Sequence, residues 1–209
     1  MTTIYLLRHS ESFKSLQGEM KLKDSVQIIN EKNPLSVDGE KLAEKVAGID
    51  EFKNLDAVYS SDYVRAMATA KYFAVNNNLK VNVDYRLGER VQGITSWDQL
   101  PSNFERKQFE DETFKVGFGE NQIEVRKRME EVFFEILNAN KDKRVAIVSH
   151  ATAISFLLKR WCNIELVDDK LRYSYKDKVL LHGHFDFCET FKLEFDDNNE
   201  LINIENIRR

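Results

Sequence analysis

Ile4-Tyr5-Leu6-Leu7-Arg8-His9-Ser10 runs four apolar residues straight into a cation, an imidazole and a hydroxyl. The apolar run is continuous rather than alternating, the pattern of a strand covered on both faces of a parallel sheet. The pattern returns at Asp56-Ala57-Val58-Tyr59, which ends in Ser60-Ser61-Asp62, and at Val145-Ala146-Ile147-Val148, which ends in Ser149-His150-Ala151. Between these strands the spacing turns helical. Leu42, Val46 and Ile49 share a face, and Val125, Met129, Val132, Phe133, Ile136 and Leu137 form a stripe at i, i+3, i+4. Asp62 stands where an N-cap would precede a helix over Tyr63 to Val75, and Ile154, Leu157, Leu158 and Trp161 line one side of a helix after His150. Val81 and Val83 mark a further short strand. The alternation predicts an α/β fold: a doubly wound, mainly parallel sheet with helices on both faces.

Near the C-terminus the period changes to two. Phe191, Leu193 and Phe195 alternate with Lys192 and Glu194, Asp197-Asn198-Asn199 supplies a turn, and Leu201 to Ile207 reads as a return strand. An antiparallel hairpin is therefore expected at one edge of the sheet. Phe13 to Asn33 and Ile94 to Asn121 fit no regular pattern. The second, with Trp97, Phe104, Phe109, Phe114 and Phe118 among mixed charges, is expected to form an inserted lid or cap at 94–121.

A chain of 209 residues is expected to form a single domain over 1–209. Its formal charge of −4 argues against nucleic acid as a partner. The most apolar stretch, Val145 to Leu158, is too short to span a bilayer and contains His150. The N-terminal residues lack the pattern of a secretory signal, so a cytoplasmic location is expected. Cys162 and Cys188 show no zinc-ligand spacing with the histidines and read as buried thiols.

All three apolar strands discharge into polar residues at their C-terminal ends, the edge of an open α/β sheet where ligands bind. His9 and His150 would converge there with Arg8 and with Arg65, one turn into the helix after Asp62. Two arginines beside two histidines describe an anion site, and helix N-termini facing the crevice would add backbone N–H donors. Phosphate is the anion such a site suits best. His9, flanked by cations, is placed to act as a nucleophile through an unprotonated ring nitrogen. Arg8, Arg65 and His150 would neutralise the non-bridging oxygens, and Glu89, in a loop just after Val81-Val83, would protonate the leaving group.

These residues carry a resemblance. Leu7-Arg8-His9-Ser10-Glu11-Ser12 resembles the Arg-His-Gly opening of the histidine phosphatase superfamily, also called phosphoglycerate mutase-like. Pro34-Leu35-Ser36-Val37-Asp38-Gly39 is similar to its Pro-Leu-Thr/Ser-x-x-Gly helix start, Ser60-Ser61-Asp62-Tyr63-Val64-Arg65-Ala66 to its Ser-Ser-x-x-x-Arg-Ala element, Leu87-Gly88-Glu89 to its Leu-x-Glu loop, and Val148-Ser149-His150 to its second histidine. The resemblance implies metal-independent phosphoryl transfer without a cofactor. His9 would be the phosphorylated nucleophile, Arg8, Arg65 and His150 the phosphate binders, and Glu89 the proton donor. The sequence departs from the pattern at Ser10, which replaces glycine, at Ser15, where many members have a phosphate-contacting asparagine, and at Ala151-Thr152, which follows His150 in place of glycine. Ser15 and Ala151 remain candidate substrate-binding positions.

The expected activity is hydrolysis of small phosphate monoesters of soluble metabolites. The alternatives are a phosphoglycerate mutase-type transferase and a silent phosphate-binding regulator. Blander roles compete residue by residue: Arg65 could pair with Asp62 across a helical turn, Ser60 and Ser61 could be a turn and a cap, and Glu11 and Glu120 are rival carboxylates for Glu89. His182-Gly183-His184 lacks a third metal ligand and reads as a loop near the site. Ser149 next to His150 is not a nucleophile–base pair, because neighbouring strand residues face opposite ways. No Gly-x-Gly-x-x-Gly follows any strand, which disfavours dinucleotide binding.

Overall fold

The computed structural model describes residues 1–13 and 25–207. Its strands are β1 (Thr2–Arg8), β2 (Ala57–Ser60), β3 (Val81–Val83), β4 (Arg144–Ser149), β5 (Asn163–Val167), β6 (Lys170–Tyr175), β7 (Lys178–Gly183), β8 (Thr190–Phe195) and β9 (Leu201–Asn206). The helices are α1 (Val26–Lys32), α2 (Val37–Ala47), α3 (Val64–Asn76), α4 (Phe104–Glu110), α5 (Gln122–Ala139) and α6 (Ala151–Leu158).

The larger sheet has the order β3-β2-β4-β1-β8-β9. Its first four strands are parallel, β8 joins β1 antiparallel, and β9 pairs with β8 at the edge. Because successive side chains alternate across a strand, each continuous apolar run feeds two cores. Ile4, Leu6, Val145 and Ile147 pack with residues of α5 and α6 on one face; Tyr5, Leu7, Val58, Ala146 and Val148 pack with those of α2 and α3 on the other. These side chains are fully buried, and burial of each valine, leucine or isoleucine among them is worth about 1.5–3 kcal/mol. Register then sets the site, since Arg8 lies opposite Ser149 and Ser60 opposite Val148. Three strands end level, and His9, Ser61 and His150 emerge at one edge.

The Pro34–Gly39 element explains itself locally. The Ser36 side chain accepts from the Gly39 N–H, capping α2, and the Ser36 N–H donates to Glu11 O. A Cβ at Gly39 would stand 2.0 Å from Glu11 O, so only glycine lets α2 lie on the backbone two residues after His9. Gly39→Ala is expected to cost about 3 kcal/mol, as overpacking against rigid backbone does, read as a lower urea midpoint. An unchanged midpoint would show that the two segments part freely.

Several expectations need correction. Asp62 does not cap α3: the N-cap is Tyr63, without a side-chain cap bond, because the chain runs one residue further to place the Tyr63 ring against His150. Ile49 lies beyond α2. Phe13 to Asn33 contains α1, capped by Ser25. His182 belongs to β7, opposite Arg172, rather than to a loop. It is part of a second, three-stranded antiparallel sheet, β5-β6-β7, that periodicity did not reveal.

The segment 94–121 holds a short 3-10 turn, Trp97–Gln99, and α4. Its ends meet at a neck. Glu120 N–H donates to Val91 O, and a Cβ on Gly93, whose φ is +77°, would lie 2.0 Å from the Gly119 nitrogen. Arg90, fully buried, ties the segment inward: its guanidinium reaches Glu120 O at 2.7 Å, Gln108 Oε1 and Phe114 O at 3.3 Å, and lies 4.6 Å from the Phe104 ring centroid. Within the described residues no helix is long and apolar enough to cross a membrane.

Candidate active site

His9 follows β1 directly, and its tautomer is dictated by its neighbours. Nδ1 lies 2.7 Å from Ser10 O, which can only accept, so the proton sits on Nδ1 and Nε2 carries the lone pair. Arg65 Nε donates to that lone pair at 3.0 Å. The same guanidinium donates through Nη2 to His150 Nδ1 at 3.2 Å, which leaves His150 Nε2–H to donate to Ser61 Oγ at 2.8 Å. One arginine thus bridges two neutral imidazoles whose centroids are 5.1 Å apart. Both histidines are held well below the ordinary imidazole range, first by burial and then by the Arg65 charge.

Ser10, in the position usual for glycine, fits without crowding: its Oγ donates to Gly39 O and its N–H to Thr69 Oγ1. Thr69 in turn donates to Arg65 O, so the His9 loop and the first turns of α3 are one hydrogen-bonded unit. Arg65 also donates to Asn30 O and packs on the Tyr63 ring at 4.9 Å. It does not pair with Asp62, which is exposed. Arg8 donates to Phe185 O and lies 4.3 Å from the Phe187 ring centroid, and its buried Nε has no partner among the described residues. A desolvated guanidinium with an unused donor has capacity for an anion.

Glu89 stands at the N-terminus of α6. Its Oε1 accepts from Ala153 N–H at 3.0 Å and Arg90 N–H at 2.8 Å, and Oε2 accepts from Thr152 N–H at 3.3 Å. This corrects the expectation that the helix N-terminus offers these donors to a ligand: two are taken by Glu89. The carboxylate still lies beside the histidines, because it is bonded to the first turn of the helix whose N-cap is His150. The rivals are placed otherwise. Glu120 is engaged by Arg128 Nε at 2.7 Å and by Val91 N–H, and Glu11 enters the structure through its backbone. Arg128 fixes the Glu89 loop by donating to the carbonyls of Arg86, Gly88 and Glu89.

The site brings together His9, Arg65, His150 and, through its charges, Arg8 and Glu89. Ala151 is the first residue of α6, next to His150. Ser15 lies outside the described residues. His150 has no exposed surface, so contact with a ligand requires a neighbouring side chain to shift. Ser149 turns away, its Oγ donating to Leu87 O. Ser61, Tyr63, Arg90 and Arg128 are further parts of the assembly that sequence reasoning did not assign. Among the described residues no group of three or more His, Cys, Asp or Glu is placed to hold a metal ion, and both cysteines are buried.

A doubly wound sheet whose strand ends gather two neutral histidines and two desolvated arginines defines a class: an α/β protein with a cationic, histidine-centred site at the C-terminal edge of its sheet. The model of the histidine phosphatase superfamily (branch 1) matches residues 4–175, and the chain belongs to that family. A probable phosphoglycerate mutase GpmB from Yersinia enterocolitica is 27% identical over 169 residues, covering 76% of this chain and 74% of that protein. Among solved structures, a phosphoserine phosphatase from Entamoeba histolytica with phosphoserine superposes with a TM-score of 0.66 at 20% identity, covering 98% of this chain and 97% of the other. A mycobacterial glucosyl-3-phosphoglycerate phosphatase with VO3 gives 0.69 at 20% identity, covering 99% and 98%. These two likenesses establish the shared fold.

Proposed function

We propose that the protein is a metal-independent phosphatase that hydrolyses small phosphate monoesters through a phosphohistidine on His9. The observation that carries this is the bridge of Arg65 between His9 Nε2 and His150 Nδ1. It presents a nucleophilic lone pair with a cation already beside it. On binding, the Arg65 guanidinium exchanges the imidazoles for phosphoryl oxygens, and Arg8 supplies a second cation. His9 Nε2 attacks phosphorus, the bond to the ester oxygen breaks, and the departing alkoxide takes a proton from Glu89. Water then attacks the phosphohistidine and returns a proton to the Glu89 carboxylate, releasing phosphate and free His9. His150, Ala151 and Ser15 are assigned to holding the phosphate, and the segment 94–121 to covering the site.

Two arginines supply the charge that a divalent ion would otherwise bring, so hydrolysis of phenyl phosphate is expected to proceed unchanged in excess EDTA. Loss of activity in EDTA, restored by magnesium or zinc, would overturn the mechanism. The Yersinia relative's name favours a second reading, phosphoryl transfer within phosphoglycerate. Incubation with 3-phosphoglycerate separates them, since a mutase yields the 2-isomer and a phosphatase yields inorganic phosphate. No turnover of any ester, with phosphate still bound, would instead mark a silent binding protein.

A further inference from the structure

A cavity of about 370 Å³ opens between α4, the turn joining β5 to β6, and the end of β7. Phe109, Leu166, Leu171 and Phe185 give it apolar walls, and Glu105 and His184 stand at its edge. One of these residues ties it to the His9 site. Phe185 lines the cavity while its carbonyl accepts from Arg8, and its ring is fixed by stacking on Tyr173 and Phe191. Glu105 is exposed to the open space, and its carboxyl is pushed up by desolvation within the surrounding walls and then by the charge of Glu89. Glu105 Oε2 accepts from Gln108 Nε2, the side chain whose Oε1 meets Arg90.

The remaining charges at the rim largely cancel. Arg106 is engaged by Glu110 at 2.7 Å and by Asp169 at 3.0 Å, a pair that also straps α4 to the β5–β6 turn. Lys170 is exposed on the rim. The volume falls within the roughly 300–1,000 Å³ usual for small-molecule pockets with mainly apolar walls. A three-carbon acid would leave most of it to water.

We infer that this cavity receives the alcohol half of the phosphate ester and selects an uncharged, ring-sized leaving group, Glu105 being the residue that turns anionic ones away. The inference rests on the phosphatase reading above, and its test is chosen to be independent of turnover. Phosphonates place carbon where the ester oxygen would be, so they bind without being cleaved. Calorimetry with benzylphosphonate, its 4-carboxy derivative and methylphosphonate is expected to rank benzyl about tenfold tighter than each of the others, the carboxylate penalty being one of like charges across a partly desolvated gap. Glu105→Gln should reduce the benzyl-to-carboxybenzyl ratio to about twofold, and Leu171→Trp, which fills the cavity, should erase the benzyl-to-methyl ratio.

Equal affinity for benzyl and methyl phosphonates would overturn the leaving-group pocket. Tighter binding of the carboxylated ligand would assign the cavity to anion capture through Lys170 instead, and an unchanged charge ratio in Glu105→Gln would remove that residue from specificity. Should phenyl phosphate not be hydrolysed while these ratios hold, the phosphatase reading fails and the ligand preference of the cavity stands.

Discussion

His9→Ala is expected to lower kcat for any phosphate ester by at least about 10⁴-fold, because it removes the group on which the covalent intermediate forms and leaves water to attack unaided. Within the His9 ring the hydrogen bonds leave one nitrogen for the proposed attack. His9 Nδ1 is committed to Ser10 O, so Nε2 is the lone pair available, and the depressed basicity of the buried ring keeps it unprotonated near neutral pH. The nearby hydroxyls are occupied: Ser10 Oγ donates to Gly39 O, and Ser61 Oγ accepts from His150. Brief incubation of the native enzyme with labelled substrate should therefore leave phosphate on His9, stable in alkali and lost in acid. Label on Ser10 or Ser61 would overturn the assignment. Retained phosphate binding by the His9→Ala protein, through Arg8 and Arg65, would show that the loss is chemical and not a failure to fold.

The core of the fold and of the site was legible because parallel strands write themselves twice. Ile4–Leu7 and Val145–Val148 are buried on both faces, and their abrupt polar ends mark the edge where His9 and His150 stand. What escaped notice has equally physical causes. β5, β6 and β7 are half-exposed, so their apolar residues form no sustained run, and the signal lay instead in turn pairs such as Asp168-Asp169, both at positive φ. Arg90 received no role from local spacing, yet it is fully buried because carbonyls and a side-chain amide from a distant segment converge on it. Ser61 passed for a turn residue; its tie to His150 depends on β2 and β4 being neighbours, which local spacing does not encode.

Glu89→Gln is expected to depress hydrolysis of alkyl phosphates by about 10²–10⁴-fold while costing about tenfold or less on 4-nitrophenyl phosphate. An alkoxide is a strong base and needs a proton as it leaves, whereas nitrophenolate departs without one, so the demand on the acid falls with the leaving group's basicity. The comparison matters because Glu89 has a structural task as well. It accepts from the N–H groups of Ala153, Thr152 and Arg90 at the start of α6, and glutamine offers those donors a single carbonyl oxygen. Any slackening of α6 that follows disturbs His150 and lowers the rate for every substrate alike, so it cancels in the ratio of the two esters. The ratio then isolates proton donation from positioning. Equal losses on both esters, with single-turnover measurements showing that chemistry limits the rate, would leave Glu89 only its role at the helix N-terminus. Of the remaining carboxylates, Glu120 is held by Arg128 at 2.7 Å, which would turn the search for the acid toward Glu11.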